Sequence, residues 1–199
     1  MIEWVTRIVG DAGPAGVFLL MALENLFPPI PSELIMPLAG FAVAEGRMAL
    51  WAAVLAGAAG SLLGNAAWYE LARAIGAARL RPLVARHGRW FGVSGEDMDR
   101  AEAALRRHGP VALFLGRMLP AIRTLISIPA GLARIPRGVF YLWTALGGLL
   151  WVAALTGAGY ALRDQYLKVA GVLEPASYVV LAVLVLLYLR HLWRSRRTG

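Results

Sequence analysis

The stretch Phe114–Gly131, FLGRMLPAIRTLISIPAG, constrains the fold of this chain more than any other. It is apolar enough to enter a bilayer, yet it contains two arginines, Arg117 and Arg123, and two prolines, Pro120 and Pro129. An arginine at the centre of a membrane helix is disfavoured by roughly 2.5–3.5 kcal/mol, so both side chains need partners. Because proline removes a backbone donor and clashes with the preceding turn, we predict two half-helices that meet at a break.

Composition indicates an integral membrane protein. Of the 199 residues, 59% are hydrophobic and only 16% are charged, which is far from the balance of a soluble domain. The net charge of +8 comes with arginines in the turns between apolar segments, a pattern that favours anionic headgroups over nucleic acid. The chain has no cysteine, and its three histidines show no metal-ligand or nucleophile–base spacing. We therefore predict no metal, no cofactor and no catalytic centre.

The order of segments predicts an all-α polytopic membrane protein with a single transmembrane domain. In ENLFPPIPSE, three prolines within four residues interrupt a second apolar stretch, so Ala15–Phe27 and Ser32–Ala44 are predicted to form a re-entrant hairpin. The spans proper are about 20 apolar residues long, as a hydrocarbon core requires. The predicted organisation is an interfacial helix at 1–12, repeat one at 14–75, a cytoplasmic amphipathic region at 77–109, repeat two at 110–162 and a last span at 175–193.

Charge and parity predict the orientation. Basic loops stay cytoplasmic, so the arginine-rich region 77–109 and the tail that begins at Arg190 belong on the same side. Both reach that side only if the segment 110–136 enters and leaves the membrane from one face. We therefore predict a cytoplasmic C-terminus and two re-entrant hairpins that face each other from opposite sides of the membrane.

A weak internal repeat supports this topology. A shift of 91 residues places Pro29 on Pro120 and Tyr69 on Tyr160, so that each unit is a broken hairpin followed by a full span. Inverted repeats with discontinuous helices are typical of transporters, whose substrate site lies where the breaks meet near the midplane.

The two breaks differ in chemistry. The first contains Glu24 and Glu33, whereas the second contains Arg117 and Arg123. Opposite charges brought together offset each other's desolvation, and a guanidinium presents a planar fork that matches a phosphate. A carboxyl group in a low-dielectric environment binds a proton more readily than it does in water. We predict a proton-responsive anion site in which the arginines bind phosphate and the glutamates couple to protons.

Structural explanations of the same residues stay open. Arg117 and Arg123 are also compatible with a purely structural ion-pair role, and Glu33 is also compatible with a role as the helix cap of the second arm. The residues predicted to form the breaks and to shape the site are Asn25, Pro28, Pro29, Pro31, Ser32, Pro120, Thr124, Pro129 and Gly131.

Four motifs, in order, resemble the DedA family, also called the SNARE-associated or VTT-domain family. They are ENLFPPIPSE, GNAAWYELARAIG at 64–76, the stretch GRMLPAIRT with its following PAG, and WVAALTGAGYAL. By position, the family's essential acidic pair falls on Glu24 and Glu33 and its essential arginine pair on Arg117 and Arg123. Asn65 and Tyr69 belong to the second motif and are secondary site candidates. Asn65 stands where the family commonly has aspartate, so no proton role is carried over to it; Ala72 replaces a common glycine.

The resemblance implies a multi-pass protein of the bacterial inner membrane that returns undecaprenyl phosphate from the outer to the cytoplasmic leaflet, with proton coupling. The expected partners are a polyprenyl phosphate or phospholipid, membrane lipids and protons, and homo-oligomerisation is left open. The alternatives are a phospholipid scramblase or phosphatidylethanolamine translocase, an intramembrane lipid phosphatase, and a non-catalytic assembly factor. The phosphatase is disfavoured because Ser127 and Thr124 have no histidine nearby in the sequence.

Overall fold

The computed structural model of the chain describes residues 2–26, 32–79, 95–119 and 122–162. Within these ranges every regular element is a helix and no strand is present, which confirms the all-α prediction. Several sequence-predicted features lie outside the described residues: Pro28, Pro29, Pro31, Pro120 and the last span at 175–193.

Six helices make up most of the described chain, and residues 77–79 are also helical. Three of the six are long and apolar enough to cross a membrane, namely the first from Trp4 onward, the third and the sixth, and the second is a shorter apolar helix. The helices are α1 (Ile2–Leu26), α2 (Ser32–Ala44), α3 (Leu50–Ile75), α4 (Gly95–Arg117), α5 (Ser127–Leu132) and α6 (Arg137–Leu162).

Helix α1 is kinked at Gly13. This residue has φ 54° and ψ −135°, a conformation that is easy for glycine and strained for other residues. Pro14 follows directly, and a proline is well suited to the first position of a new helical segment because its missing N–H has no partner there in any case. The sequence predicts two segments in this region, and in the structure they join at this kink.

Glycines on helix α3 allow its backbone to lie in direct contact with the backbone of helix α1. A Cβ atom placed on Gly60 would lie 2.2 Å from the carbonyl oxygen of Phe18, and one on Gly64 would lie 2.8 Å from that of Ala22. Small residues at such contacts are the common way for membrane helices to approach closely. The close approach brings the end of α1 against the middle of α3.

Gly60→Ala is therefore expected to destabilise the protein by about 1–3 kcal/mol, the usual penalty for an added methyl group in a packed interface. The control is Gly157→Ala on α6, where nothing lies within 4 Å of the added atom. Thermal unfolding in detergent compares the two variants. Equal melting temperatures for both would contradict the close helix contact.

Two further glycine contacts join the remaining helices. A Cβ atom on Gly40 of α2 would lie 2.1 Å from the carbonyl oxygen of Thr156 on α6. One on Gly131 of α5 would lie 2.4 Å from the carbonyl oxygen of Tyr69 on α3. Helices α2 and α5, which follow the two breaks, are thereby held against the long helices α6 and α3.

The stretch Phe114–Gly131 is not one continuous helix. Helix α4 ends at Arg117, turns follow over the described residues up to 126, and α5 begins at Ser127. Backbone bonds such as Arg123 N to Leu119 O at 2.9 Å hold these turns in place. The stretch is interrupted, as its prolines predict, and the interruption brings Arg117 and Arg123 to the same side of the fold.

Candidate buried anion site

Buried polar side chains from both breaks meet in one cluster, which we call the polar site. Each of its members is at most 7% exposed, although polar and charged groups are seldom buried without partners. They come from α1, α3, α4, the turns at 122–126, α5 and α6. The members are Glu24, Asn25, Ser61, Asn65, Arg117, Arg123, Ser127 and Thr144.

An ion pair joins the two breaks across 99 positions of sequence. Arg123 Nη2 donates a hydrogen bond to Glu24 Oε1, and the side chains are only 7% and 4% exposed. The other carboxylate oxygen, Glu24 Oε2, accepts from Asn25 Nδ2 at 2.6 Å. The Arg123 guanidinium also lies 5.6 Å from the ring centroid of Trp151, within range of a cation–π interaction. Glu24 is thus the counter-ion of Arg123.

Arg117 has a different environment. Its Nη1 donates to Asn65 Oδ1 and to the carbonyl oxygen of Arg123. Its Nη2 donates to Ser127 Oγ at 2.9 Å and to Thr144 Oγ1 at 3.3 Å. Its Nε is buried and has no hydrogen-bond partner within the described chain. Every oxygen that accepts from this guanidinium, as far as the structure describes it, is therefore neutral.

Asn65 connects the two halves of the polar site. Its Nδ2 donates to Asn25 Oδ1 at 2.6 Å and to the carbonyl oxygen of Ser61 at 2.8 Å. Its Oδ1 accepts from Ser127 Oγ at 2.9 Å as well as from Arg117. Hydrogen bonds consequently run without interruption from Glu24 through the two asparagines to Arg117.

A cavity of about 10 Å³ lies within the polar site, which is room for about one water molecule. A phosphate group, with four oxygen atoms, is much larger than this space. The residues that line the cavity are Asn25, Ser61, Asn65, Arg117, Arg123, Gly148 and Trp151.

Three sequence-predicted residues, Glu33, Ser32 and Thr124, are not members of the polar site. Glu33 is exposed on the first turn of α2, where its Oε2 accepts a hydrogen bond from Ser32 Oγ at 3.5 Å. Ser32 itself is buried and also accepts from Trp151 Nε1 at 3.4 Å. Thr124 is half-buried on the turns before α5. Among the residues that the structure describes, Glu24 is in direct contact with an arginine and Glu33 is not.

Tyr69 belongs to a second cluster, on the same helix as Asn65. Its hydroxyl donates to the carbonyl oxygen of Ile135, and its ring stacks on that of Phe140 with centroids 3.9 Å apart. Arg73 donates to both of these oxygen atoms at 2.9 Å. This cluster holds the chain between α5 and α6 against α3. Two further sequence-predicted residues, Pro129 and Gly131, are buried within α5.

Sequence reasoning missed several members of the site. Ser61 precedes Asn65 by four residues, and this one-turn spacing is the signal that points to it. Thr144 is one of two threonines in the apolar span α6, and Trp151 is one of seven tryptophans in the chain, so neither stands out in the sequence. Over the part of the chain that the structure describes, no group of three or more metal-ligating side chains is present.

A helical chain with three candidate spans and a buried cluster of charged groups is a polytopic membrane protein. Residues 30–161 match the VTT domain, so the chain belongs to the VTT-domain, or DedA, family. It is 35% identical to "Alkaline phosphatase-like protein" of Lactococcus lactis subsp. cremoris, over 95% of this chain and 89% of that one. It is 29% identical to "Undecaprenyl phosphate transporter A" of Staphylococcus aureus, over 99% of each chain. It is 36% identical to the Bacillus subtilis membrane protein YkoX, over 92% of this chain and 80% of that one. No solved structure matches.

Proposed function

We propose that this protein transports a lipid phosphate across the bacterial inner membrane, with Arg117 and Arg123 as ligands of the phosphate headgroup. The observation that carries the proposal is a buried polar site that holds two arginines against one glutamate. Unpaired buried charge is costly, and an anion would offset it. The name of the Staphylococcus aureus relative, undecaprenyl phosphate transporter A, supports undecaprenyl phosphate as the lipid. The proposed direction is from the outer to the cytoplasmic leaflet.

In the proposed transport cycle this conformation is a closed state, and the small size of the cavity supports that assignment. When the site opens, the phosphate takes the place of Glu24 as the partner of Arg123. A proton on Glu24 favours this exchange, because a neutral carboxyl group holds a guanidinium less strongly than a carboxylate does. Glu33, exposed on the first turn of α2, is the second proposed proton-coupling residue.

The proposed architecture is a pair of inverted repeats. In each repeat a re-entrant hairpin is followed by a full span. The first repeat comprises α1 from residue 14 onward, α2 and α3, and the second comprises α4 from residue 110 onward, α5 and α6. Two observations support it: both helical breaks contribute to the polar site, and the 91-residue shift places the break before α2 on the break before α5. In this proposed arrangement the C-terminus is cytoplasmic.

Reconstitution tests the function directly. In proteoliposomes that contain a fluorescent short-chain polyprenyl phosphate, the protein is expected to move the lipid between leaflets faster than empty liposomes do. Acyl-chain-labelled phosphatidylethanolamine and phosphatidylcholine are the comparison lipids. Equal rates for all three lipids, independent of a pH gradient, would instead indicate a phospholipid scramblase.

Glu24→Gln tests the proton coupling. Glutamine keeps the shape of the side chain and an oxygen that can accept from Arg123, but its amide nitrogen cannot accept from Asn25 and the side chain does not titrate. We expect the wild-type rate to rise with an imposed pH gradient and the rate of the variant to be the same with and without it. The matched control is Glu70→Gln, because Glu70 lies on α3 in an exposed pair with Arg137. A Glu24→Gln variant that keeps the full response to the gradient would falsify the coupling role.

A lipid phosphatase is the second candidate, because the relatives from Lactococcus lactis are named alkaline phosphatase-like. Ser127 is the hydroxyl nearest to Arg117 in the polar site, at 2.9 Å. However, its Oγ donates to the amide oxygen of Asn65, which is not a base that activates a nucleophile. Release of inorganic phosphate from polyprenyl phosphate by pure protein, abolished by Ser127→Ala, would decide for the phosphatase.

A further inference from the structure

The two arginines of the polar site are neutralised unequally. Arg123 is paired with Glu24, whereas the hydrogen-bond acceptors that the described residues offer to Arg117 are two hydroxyls, one backbone carbonyl and the side-chain amide of Asn65. In addition, the buried Arg117 Nε has no partner in the described chain. Taken together, the described groups leave one positive charge uncompensated, and it lies on Arg117.

Asn65 occupies the one position, among the described residues, from which a side chain reaches both Arg117 and the network around Glu24. Its Oδ1 accepts from Arg117 Nη1, and its Nδ2 donates to Asn25 Oδ1 at 2.6 Å. Aspartate has almost the same shape as asparagine, but it carries a full negative charge. At this position it would neutralise the guanidinium at hydrogen-bonding distance, where such charge-assisted bonds are strongest.

We propose that Asn65 is the specificity-determining residue of the polar site: its neutral amide leaves Arg117 without a counter-ion, and the phosphate group of the substrate supplies that charge. This inference rests on the proposed function and assigns different roles to the two arginines. Arg117 is the permanent anion ligand, whereas Arg123 alternates between Glu24 and the phosphate. Asn65 acts on the substrate through Arg117 and is a positioning residue.

The elements packed around Asn65 contribute few charged groups. Glu24 on α1 lies one hydrogen bond beyond Asn25, Arg117 is on α4, and Arg123 is on the turns before α5. The described contacts from α5 and α6 are the hydroxyls of Ser127 and Thr144, which carry no charge. On α2, Glu33 is exposed. A carboxylate at position 65 would therefore have Arg117 as its direct cationic neighbour.

Binding of a phosphate group to the purified full-length protein tests the proposal. The probes are farnesyl monophosphate in detergent micelles and inorganic phosphate in the same buffer, measured for wild type, Asn65→Asp and Asn65→Ala. We expect Asn65→Asp to bind farnesyl monophosphate at least about 10-fold more weakly than wild type, which corresponds to about 1.4 kcal/mol. Asn65→Ala loses hydrogen bonds but adds no charge, so its affinity is expected to stay within about 3-fold of wild type.

A pH profile separates charge from structure. Protonation of the introduced carboxylate in the Asn65→Asp variant removes the added charge, so its affinity relative to wild type is expected to recover as the pH falls. The comparison with wild type at each pH removes the contribution that Glu24 makes to both proteins. A constant ratio between the two affinities across the pH range would indicate a structural effect and overturn the proposal.

Thr144 offers a second position from which to add the charge. Its Oγ1 accepts from Arg117 Nη2 at 3.3 Å, from the opposite helix α6. Thr144→Asp is expected to weaken binding relative to its neutral match, Thr144→Asn, by a similar factor. This pair keeps the test decisive if Asn65→Asp does not fold. If Thr144→Asp binds farnesyl monophosphate as tightly as Thr144→Asn does, the proposal is wrong.

The outcomes also separate this inference from the proposed function. Equal binding by wild type, Asn65→Asp and Asn65→Ala would refute the role of Asn65 and leave the transport function in place. Charge-sensitive binding of inorganic phosphate alone would support Asn65 but identify a free anion, rather than a lipid, as the ligand. A wild-type protein that binds neither probe would overturn both.

Discussion

Replacing Arg117 by alanine is expected to reduce transport of the polyprenyl phosphate by about 100-fold or more. Truncating a buried charged partner of an anion typically costs about 2–5 kcal/mol, and each 1.4 kcal/mol is a factor of ten. The side chain is 3% exposed and donates hydrogen bonds through both Nη atoms, so its neighbours hold the guanidinium in place. The measurement is the initial rate of lipid movement in proteoliposomes with equal amounts of folded protein.

Two variants control this experiment. Arg117→Lys keeps the charge but loses the planar fork, so we expect it to retain part of the activity. Arg106→Ala removes another arginine of α4, one whose side chain is 61% exposed and pairs with Glu102 one turn away. Its transport should equal that of wild type. Wild-type transport by a folded Arg117→Ala variant would remove the arginine from the mechanism.

Breaking the buried pair between Glu24 and Arg123 is expected to have the largest effect on stability. Removing one partner leaves the other charge buried without compensation, which costs about 3–5 kcal/mol. Glu24→Ala and Arg123→Ala should each lower the melting temperature in detergent strongly. The double variant should be less destabilised than the sum of the two single variants, because it leaves neither charge behind.

The exposed pair between Glu70 and Arg137 provides the reference. Its two hydrogen bonds of 2.8 Å have good geometry, but the side chains are 34% and 62% exposed. Exposed pairs contribute only about 0.2–1 kcal/mol, so Glu70→Ala should change the melting temperature little. Additive effects of Glu24→Ala and Arg123→Ala would show that the buried pair is not an energetic unit.

Much of the fold could be predicted from local sequence patterns. The apolar segments are long, the prolines cluster at the breaks, and both signals act over a few neighbouring residues. For this reason the interruption between Arg117 and Ser127 could be predicted from the sequence. Around Gly13, by contrast, the sequence predicts two separate segments, whereas the structure joins them at a kink. The sequence does not predict this kink because the backbone conformation of a glycine depends on how the flanking helices pack.

The sequence predicts which kinds of charged group the candidate site contains, but not which of them form an ion pair. Arginines in apolar sequence need partners that offset their desolvation, so the prediction that the acidic and basic breaks meet follows from the cost of burying charge. The sequence does not predict which carboxylate pairs with an arginine, since Glu24 and Glu33 are both in the first break. In the structure Glu24 pairs with Arg123 because it lies near the buried end of α1, whereas Glu33 is exposed on the first turn of α2.

The sequence by itself determined that this is an all-helical membrane protein of the VTT-domain family with two breaks of opposite charge, because hydropathy and proline act locally. Only the tertiary structure decided that Asn65 bridges the breaks and that the described partners of Arg117 are neutral. Those contacts join residues 40 and 52 positions apart, and their geometry depends on how α1, α3 and α4 pack. Local sequence patterns carry no information on distances of that kind.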